Sequence, residues 1–138
     1  MNRAVNWRKE ERVIRVTVEY TDDLGPEADV PALLKKLAAK LADGAAADAL
    51  IRIGARPIVE YVVAENAWGS VSVVVRVDAG KLAAFKAGRF DEIVALTEAH
   101  FADLYLRRSI ALSFELDQLG REGLVERRHP RPASAEPF

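Results

Sequence analysis

Ser70 to Asp78 alternates without a break. Val71, Val73, Val75 and Val77 fall on one side; Ser70, Ser72, Val74 and Arg76 fall on the other. A two-residue period rich in β-branched side chains is the mark of a half-buried strand. Such a strand constrains everything else, because it needs neighbours along both edges and a cover for its valine face. Val13 to Tyr20 repeats the pattern, with Ile14, Val16, Val18 and Tyr20 opposed to Val13, Arg15, Thr17 and Glu19. Ile110, Leu112, Phe114 and Leu116 alternate with Ala111, Ser113, Glu115 and Asp117, so a further strand is expected over 110–116. Leu50 to Glu65 also reads as extended. Gly54 and Pro57 interrupt it, which marks an edge strand with a bulge. Asn66 to Gly69 then reads as a hairpin turn.

Two stretches switch to the helical period. Val30, Leu33, Leu34, Leu37, Ala38 and Leu41 form one apolar stripe, with Lys35, Lys36 and Lys40 off it. Asp29 can accept from the free amides of the first turn, Pro31 costs little there, and Gly44 suits a left-handed cap. Lys81 to Arg107 is the second helical stretch, broken near Gly88, with Asp91 as a cap for its second part. Phe90, Ile93, Leu96, Phe101 and Leu104 make its buried side.

The resulting order, β-α-β-β-α-β, predicts an α+β fold of the ferredoxin-like kind: a four-stranded antiparallel sheet with two helices on one face. If 110–116 were helical, a three-stranded sheet plus a long C-terminal helix would replace it. The helix-free face would show Arg15, Thr17, Glu19, Ser70, Ser72, Val74, Arg76, Ser113 and Glu115. Residues 13–119 read as a single domain. A charged lead-in, 1–12, precedes it, and an Arg- and Pro-rich tail, 120–138, expected to be disordered, follows it.

Composition narrows the chemistry. The chain has 138 residues, half of them hydrophobic, and no cysteine. It can bury a core without a disulfide or metal, and thiolate nucleophiles and cysteine metal sites are excluded. No apolar run is long enough to span a membrane and no secretory leader is visible, so a cytoplasmic location is expected. Net charge is −1, with weakly basic ends on a mildly acidic body. That balance argues against nucleic acid as a partner. The outward positions of the expected central strands also lack the aromatic residues on which bases stack.

No phosphate-binding loop, dinucleotide fingerprint or nucleophile elbow occurs, and no cofactor or metal site is expected. Two histidines, one of them in the tail, cannot make a transition-metal site without carboxylates, and Asp22–Asp23 lacks the oxygen spacing of a calcium loop. For catalysis the candidates are His100, as a general base, and Asp103, one turn on, to orient it; the competing reading is a boundary histidine that only hydrogen-bonds. For a ligand or an interface the candidates are Arg15, Glu19, Arg76 and Glu115 on the open sheet face, with Tyr61, Trp68 and Trp7 as anchors in extended or turn segments.

Three functions fit these features. The favoured one is a non-enzymatic interaction or regulatory module, acting as a homodimer or docked on a larger protein through an exposed edge strand. The second is a small cofactor-free enzyme or ligand binder of the dimeric α+β barrel type, in which Arg15, Arg76, Glu60, Tyr61 and Glu115 would be the polar groups. The third is nucleic-acid binding through the basic termini (Arg8, Lys9, Arg12; Arg127, Arg128, Arg131).

Overall fold

The computed structural model describes residues 13–42, 50–58, 69–107, 110–120 and 124–129. Five strands form one sheet: β1 (Val13–Thr21), β2 (Leu50–Ile58), β3 (Gly69–Val77), β4 (Ile110–Gln118) and β5 (Leu124–Arg128). Their spatial order is β2-β1-β3-β4-β5. The β1–β2 and β3–β4 pairs are parallel, and the β1–β3 and β4–β5 pairs are antiparallel. The helices are α1 (Val30–Ala42), α2 (Ala79–Ala84), α3 (Phe90–His100) and α4 (Ala102–Arg107), with Phe85–Arg89, kinked at Gly88, joining α2 to α3.

This overturns the expected four-stranded antiparallel plait. In that plait each crossover would skip over a neighbouring strand. Here each crossover returns the chain to the adjacent position, so β2 lies beside β1 and β4 beside β3, both parallel. The stretch 110–116 is strand, which removes the three-stranded alternative with a long C-terminal helix. A fifth strand, Leu124–Arg128, lies within the stretch read from composition as a tail. No bulge occurs in β2: it pairs in continuous register with β1 from Val13↔Leu50 to Thr21↔Ile58. Pro57 is tolerated because β2 is an edge.

The core lies between the helices and one face of the sheet. Ile14, Val16 and Val18 of β1, the four odd-numbered valines of β3, and Leu112, Phe114 and Leu116 of β4 are all at most 4% exposed. Leu33, Leu37 and Leu41 of α1 and Phe90 and Ile93 of α3 cover them. Local chemistry fixes the ends. Asp29 Oδ1 accepts from Ala32 N at the start of α1, and Arg89 donates to the carbonyls of Lys40 and Leu41 at its end. Asp78 Oδ1 accepts from Lys81 N and caps α2. Thr21 Oγ1 accepts from Ser70 N, and a Cβ at Gly69 would stand 2.6 Å from Leu24 Cδ2. Any side chain at Gly69 would force Leu24 or Thr21 to shift. No helix among the described residues is long and apolar enough to cross a membrane.

Candidate active site on the open sheet face

The alternate residues of the same strands face away from the helices, and their register arranges them in rows across the sheet. One row is Arg52 (β2), Arg15 (β1), Arg76 (β3) and Asp117 (β4), each the direct partner of the next. Strands lie about 4.8 Å apart, so the outer arginines of this row stand roughly 10 Å apart at Cα. Arg76 Nε is 3.6 Å from Asp117 Oδ2. Among the described residues Arg15 and Arg52 have no carboxylate partner, and both are exposed. Like charges directly opposite one another destabilise a sheet. Three arginines in register are therefore not what folding favours, and among the described residues two of them have no carboxylate partner.

The next row is Gly54, Thr17, Val74, Glu115 and Arg127. Three of its side chains are short or absent, and they form the floor of a half-open cavity of about 510 Å³. A Cβ built at Gly54 would meet no atom within 4 Å, so the space over this floor is open. Arg76 and Glu115 wall one side of the cavity, and Glu19 with Arg56 wall the other. Glu19 and Arg56 are direct cross-strand partners locked in a close ion pair. Glu115 has a looser arginine, with Arg127 Nη2 at 4.0 Å. The two glutamates are equally accessible, at 30% and 31% exposure, so pairing rather than burial distinguishes them.

The sequence-predicted residues divide cleanly. Arg15, Glu19, Arg76 and Glu115 are brought together on this face. Trp7, Tyr61, Trp68 and Glu60 lie outside the described residues. His100 is on the opposite side of the molecule, where its ring clamps helices: Nε2 meets the Ala28 carbonyl oxygen at 2.8 Å, and Nδ1 meets Lys36 Nζ at 2.9 Å. Its hydrogen bonds thus go to Ala28 and Lys36, not to Asp103. His129 is exposed at the end of β5. Among the described residues no group of three or more His, Asp or Glu side chains is placed to hold a metal. Arg52, Gly54, Arg56 and Asp117 were not singled out from sequence. The usable signal was Arg52-x-Gly54-x-Arg56, a period-two set whose shared face becomes clear only once β2 is paired.

Comparison with known proteins gives three findings. The family model for 5-carboxymethyl-2-hydroxymuconate isomerase matches residues 15–129. The crystal structure of a 5-carboxymethyl-2-hydroxymuconate isomerase from Deinococcus radiodurans R1 superposes with a TM-score of 0.67 at 29% identity, covering 80% of this chain and 87% of that one. A 5-carboxymethyl-2-hydroxymuconate delta-isomerase structure superposes with a TM-score of 0.69 at 18% identity, over 82% and 87% of the two chains, and so shares the fold. No curated protein matches the sequence.

Proposed function

The chain belongs to the 5-carboxymethyl-2-hydroxymuconate isomerase family, and from that membership we propose that it is an isomerase of unsaturated, hydroxylated polycarboxylates, working on the open face of its sheet. The expectation of a non-enzymatic interaction or regulatory module is thereby corrected. What misled it was the lack of a catalytic motif contiguous in sequence, whereas an open sheet face assembles its groups from four separate strands. The small-enzyme alternative is the one that fits.

The observation that carries the proposal is the row Arg52–Arg15–Arg76 beside the cavity, with two guanidinium groups that have no carboxylate partner among the described residues. The family's substrate name spells out three carboxylates, a hydroxyl and a conjugated diene. A planar guanidinium is the best side-chain partner for a carboxylate, because it donates two parallel hydrogen bonds. The short side chains of Gly54, Thr17 and Val74 leave room for a flat carbon chain between the arginine row and the Glu19–Arg56 pair. Such an isomerisation relocates one proton and shifts the double bonds, so it needs positioned charge and a proton carrier. Among the described residues β2 and β5 are the outer strands of the sheet; outer strands support self-association, and the homodimer expectation stands as part of this proposal.

The test is optical. 5-Carboxymethyl-2-hydroxymuconate absorbs as a conjugated dienol, and catalysed isomerisation changes that absorbance. The expected result is a rate proportional to protein concentration. A rate no faster than buffer alone would overturn the proposal.

A further inference from the structure

We propose that Lys36 is an acylation site, an exposed amine placed to take an acyl group from an acyl phosphate with His100 as its proton acceptor. The pair lies on the helix side of the molecule and does not depend on the isomerase reading. His100 Nδ1 meets Lys36 Nζ at 2.9 Å. A lysine ammonium has donors only, so Nδ1 must be the acceptor of that bond. The proton of the ring is then on Nε2, which donates to the Ala28 carbonyl oxygen at 2.8 Å.

The ring is held from two sides. Besides the bond to Ala28, the fully buried Phe101 meets it edge-on, with centroids 4.9 Å apart and planes at 89°. Nδ1 is therefore a basic lone pair at a fixed place beside Nζ, and Lys36 itself is open to a small reagent. Among the described residues no other lysine (Lys35, Lys40, Lys81, Lys86) has such an acceptor against its Nζ. Charge favours a phosphate-bearing donor. Lys35 is the neighbour of Lys36 in sequence, and Lys40 lies one turn further along the same side of α1. Three cations on one short stretch of helix attract an anion.

The step balances with the acyl phosphate as the only co-reactant. Lys36 first gives its ammonium proton to solvent, and the resulting amine still donates an N–H to Nδ1. Nζ attacks the carbonyl carbon of the donor. The N–C bond forms, the carbonyl π electrons move onto oxygen, and one Nζ proton passes to Nδ1. The tetrahedral centre then collapses. Its C–O bond to phosphate breaks, and phosphate leaves with the bonding pair. The imidazolium returns its proton to the departing phosphate. The products are an amide at Lys36 and inorganic phosphate.

The experiment incubates the full chain with acetyl phosphate and reads early acetylation of each lysine by peptide mass spectrometry. Lys35 is the internal reference, since it is exposed on the same helix. In the wild type Lys36 should react at least about tenfold faster than Lys35, the low end of what a positioned base supplies. His100→Gln keeps a hydrogen-bonding side chain but removes the base. It should bring the two rates within about twofold by slowing Lys36 alone. A wild-type Lys36 no faster than Lys35 would overturn the proposal. So would a folded His100→Gln protein that keeps the advantage. Should that variant lose its native circular dichroism, the wild type decides across pH, with the ring's protonation followed by NMR. The ionisable groups on the elements around the ring are Lys36 and Lys40 on α1, Glu27 and Asp29 beside Ala28, Glu98 on α3 and Asp103 on α4. Protonated Nδ1 has no lone pair, so the Lys36-to-Lys35 ratio should fall to about one as the ring charges. A ratio that stays constant through the ring's titration would overturn the assignment of His100.

Discussion

Along β3, Val71, Val73, Val75 and Val77 are at most 1% exposed, while Ser70, Ser72, Val74 and Arg76 alternate with them on the far side of the same backbone. β1 and β4 divide in the same way. The covered side carries apolar side chains packed under α1 and α3. The open side carries five arginines and three carboxylates from Arg15, Glu19, Arg52, Arg56, Arg76, Glu115, Asp117 and Arg127, arranged in rows that the strand register dictates. The covered face is what burial of apolar area requires. The open face contains an arrangement that folding would select against, three arginines side by side. If the open face is the site, as proposed, one face sets stability and the other function, and substitutions should separate the two.

The largest effect should come from breaking the covered side. Phe114→Ala removes a fully buried ring from β4. It should cost about 3–5 kcal/mol in urea unfolding, and activity should fall only as the folded fraction falls. The converse experiment is Arg15→Gln combined with Arg52→Gln. Stability should change by no more than about 0.5 kcal/mol, since both side chains are exposed and neither has a carboxylate partner among the described residues. Affinity for trans,trans-muconate, by calorimetry, should nevertheless drop roughly ten- to hundredfold, as lost hydrogen bonds to charged groups imply. If this pair unfolds the protein, or leaves muconate binding intact, the division between the faces is wrong.

Gly54→Ala sharpens the comparison further. The added methyl enters open space over the cavity floor, and replacing a strand glycine should stabilise by about 0.5–1 kcal/mol. KM for the isomerase substrate should rise a few-fold because the floor is raised. The smallest effect expected is on stability in Arg56→Gln. It breaks an ion pair whose arginine is 71% exposed, and such pairs contribute at most about 1 kcal/mol. Thermal unfolding should barely move.

How much of this was legible from sequence follows from what a two-residue period encodes. It assigns each residue to a face, so Arg15, Glu19, Arg76 and Glu115 are recognisable as outward-facing before any pairing is known. It says nothing about which strand lies beside which. Neighbour order depends on how each helical crossover returns the chain, and that is a property of packing, not of the strand's own pattern. Arg52 shows the consequence: it joins Arg15 only through the parallel β1–β2 register. β5 was missed because Leu124–Arg128 has too little apolar alternation to stand out in an Arg-rich segment. Tertiary contacts hold it instead. Arg128 stacks on the Phe90 ring with its guanidinium 5.0 Å from the centroid, and it pairs with Asp91 and Glu126. Burial acts to lower the Arg128 pKa, but hydrogen bonds to Glu126 and Asp91 and their charges carry it above the ordinary arginine value. His100 is the reverse case. Its spacing to Asp103 suggested a catalytic pair, and only the packing of α1 against α3 shows the ring serving as a clamp.

The central claim is that the open face of the sheet is the site. Its most direct test is a titration of isotope-labelled protein with trans,trans-muconate, followed residue by residue by NMR. Saturable shifts should concentrate at Arg15, Thr17, Arg52, Gly54, Val74, Arg76 and Glu115, with the amides of α1 and α3 nearly still. Shifts centred on the helices around Lys36 and His100, with the open face silent, would contradict it.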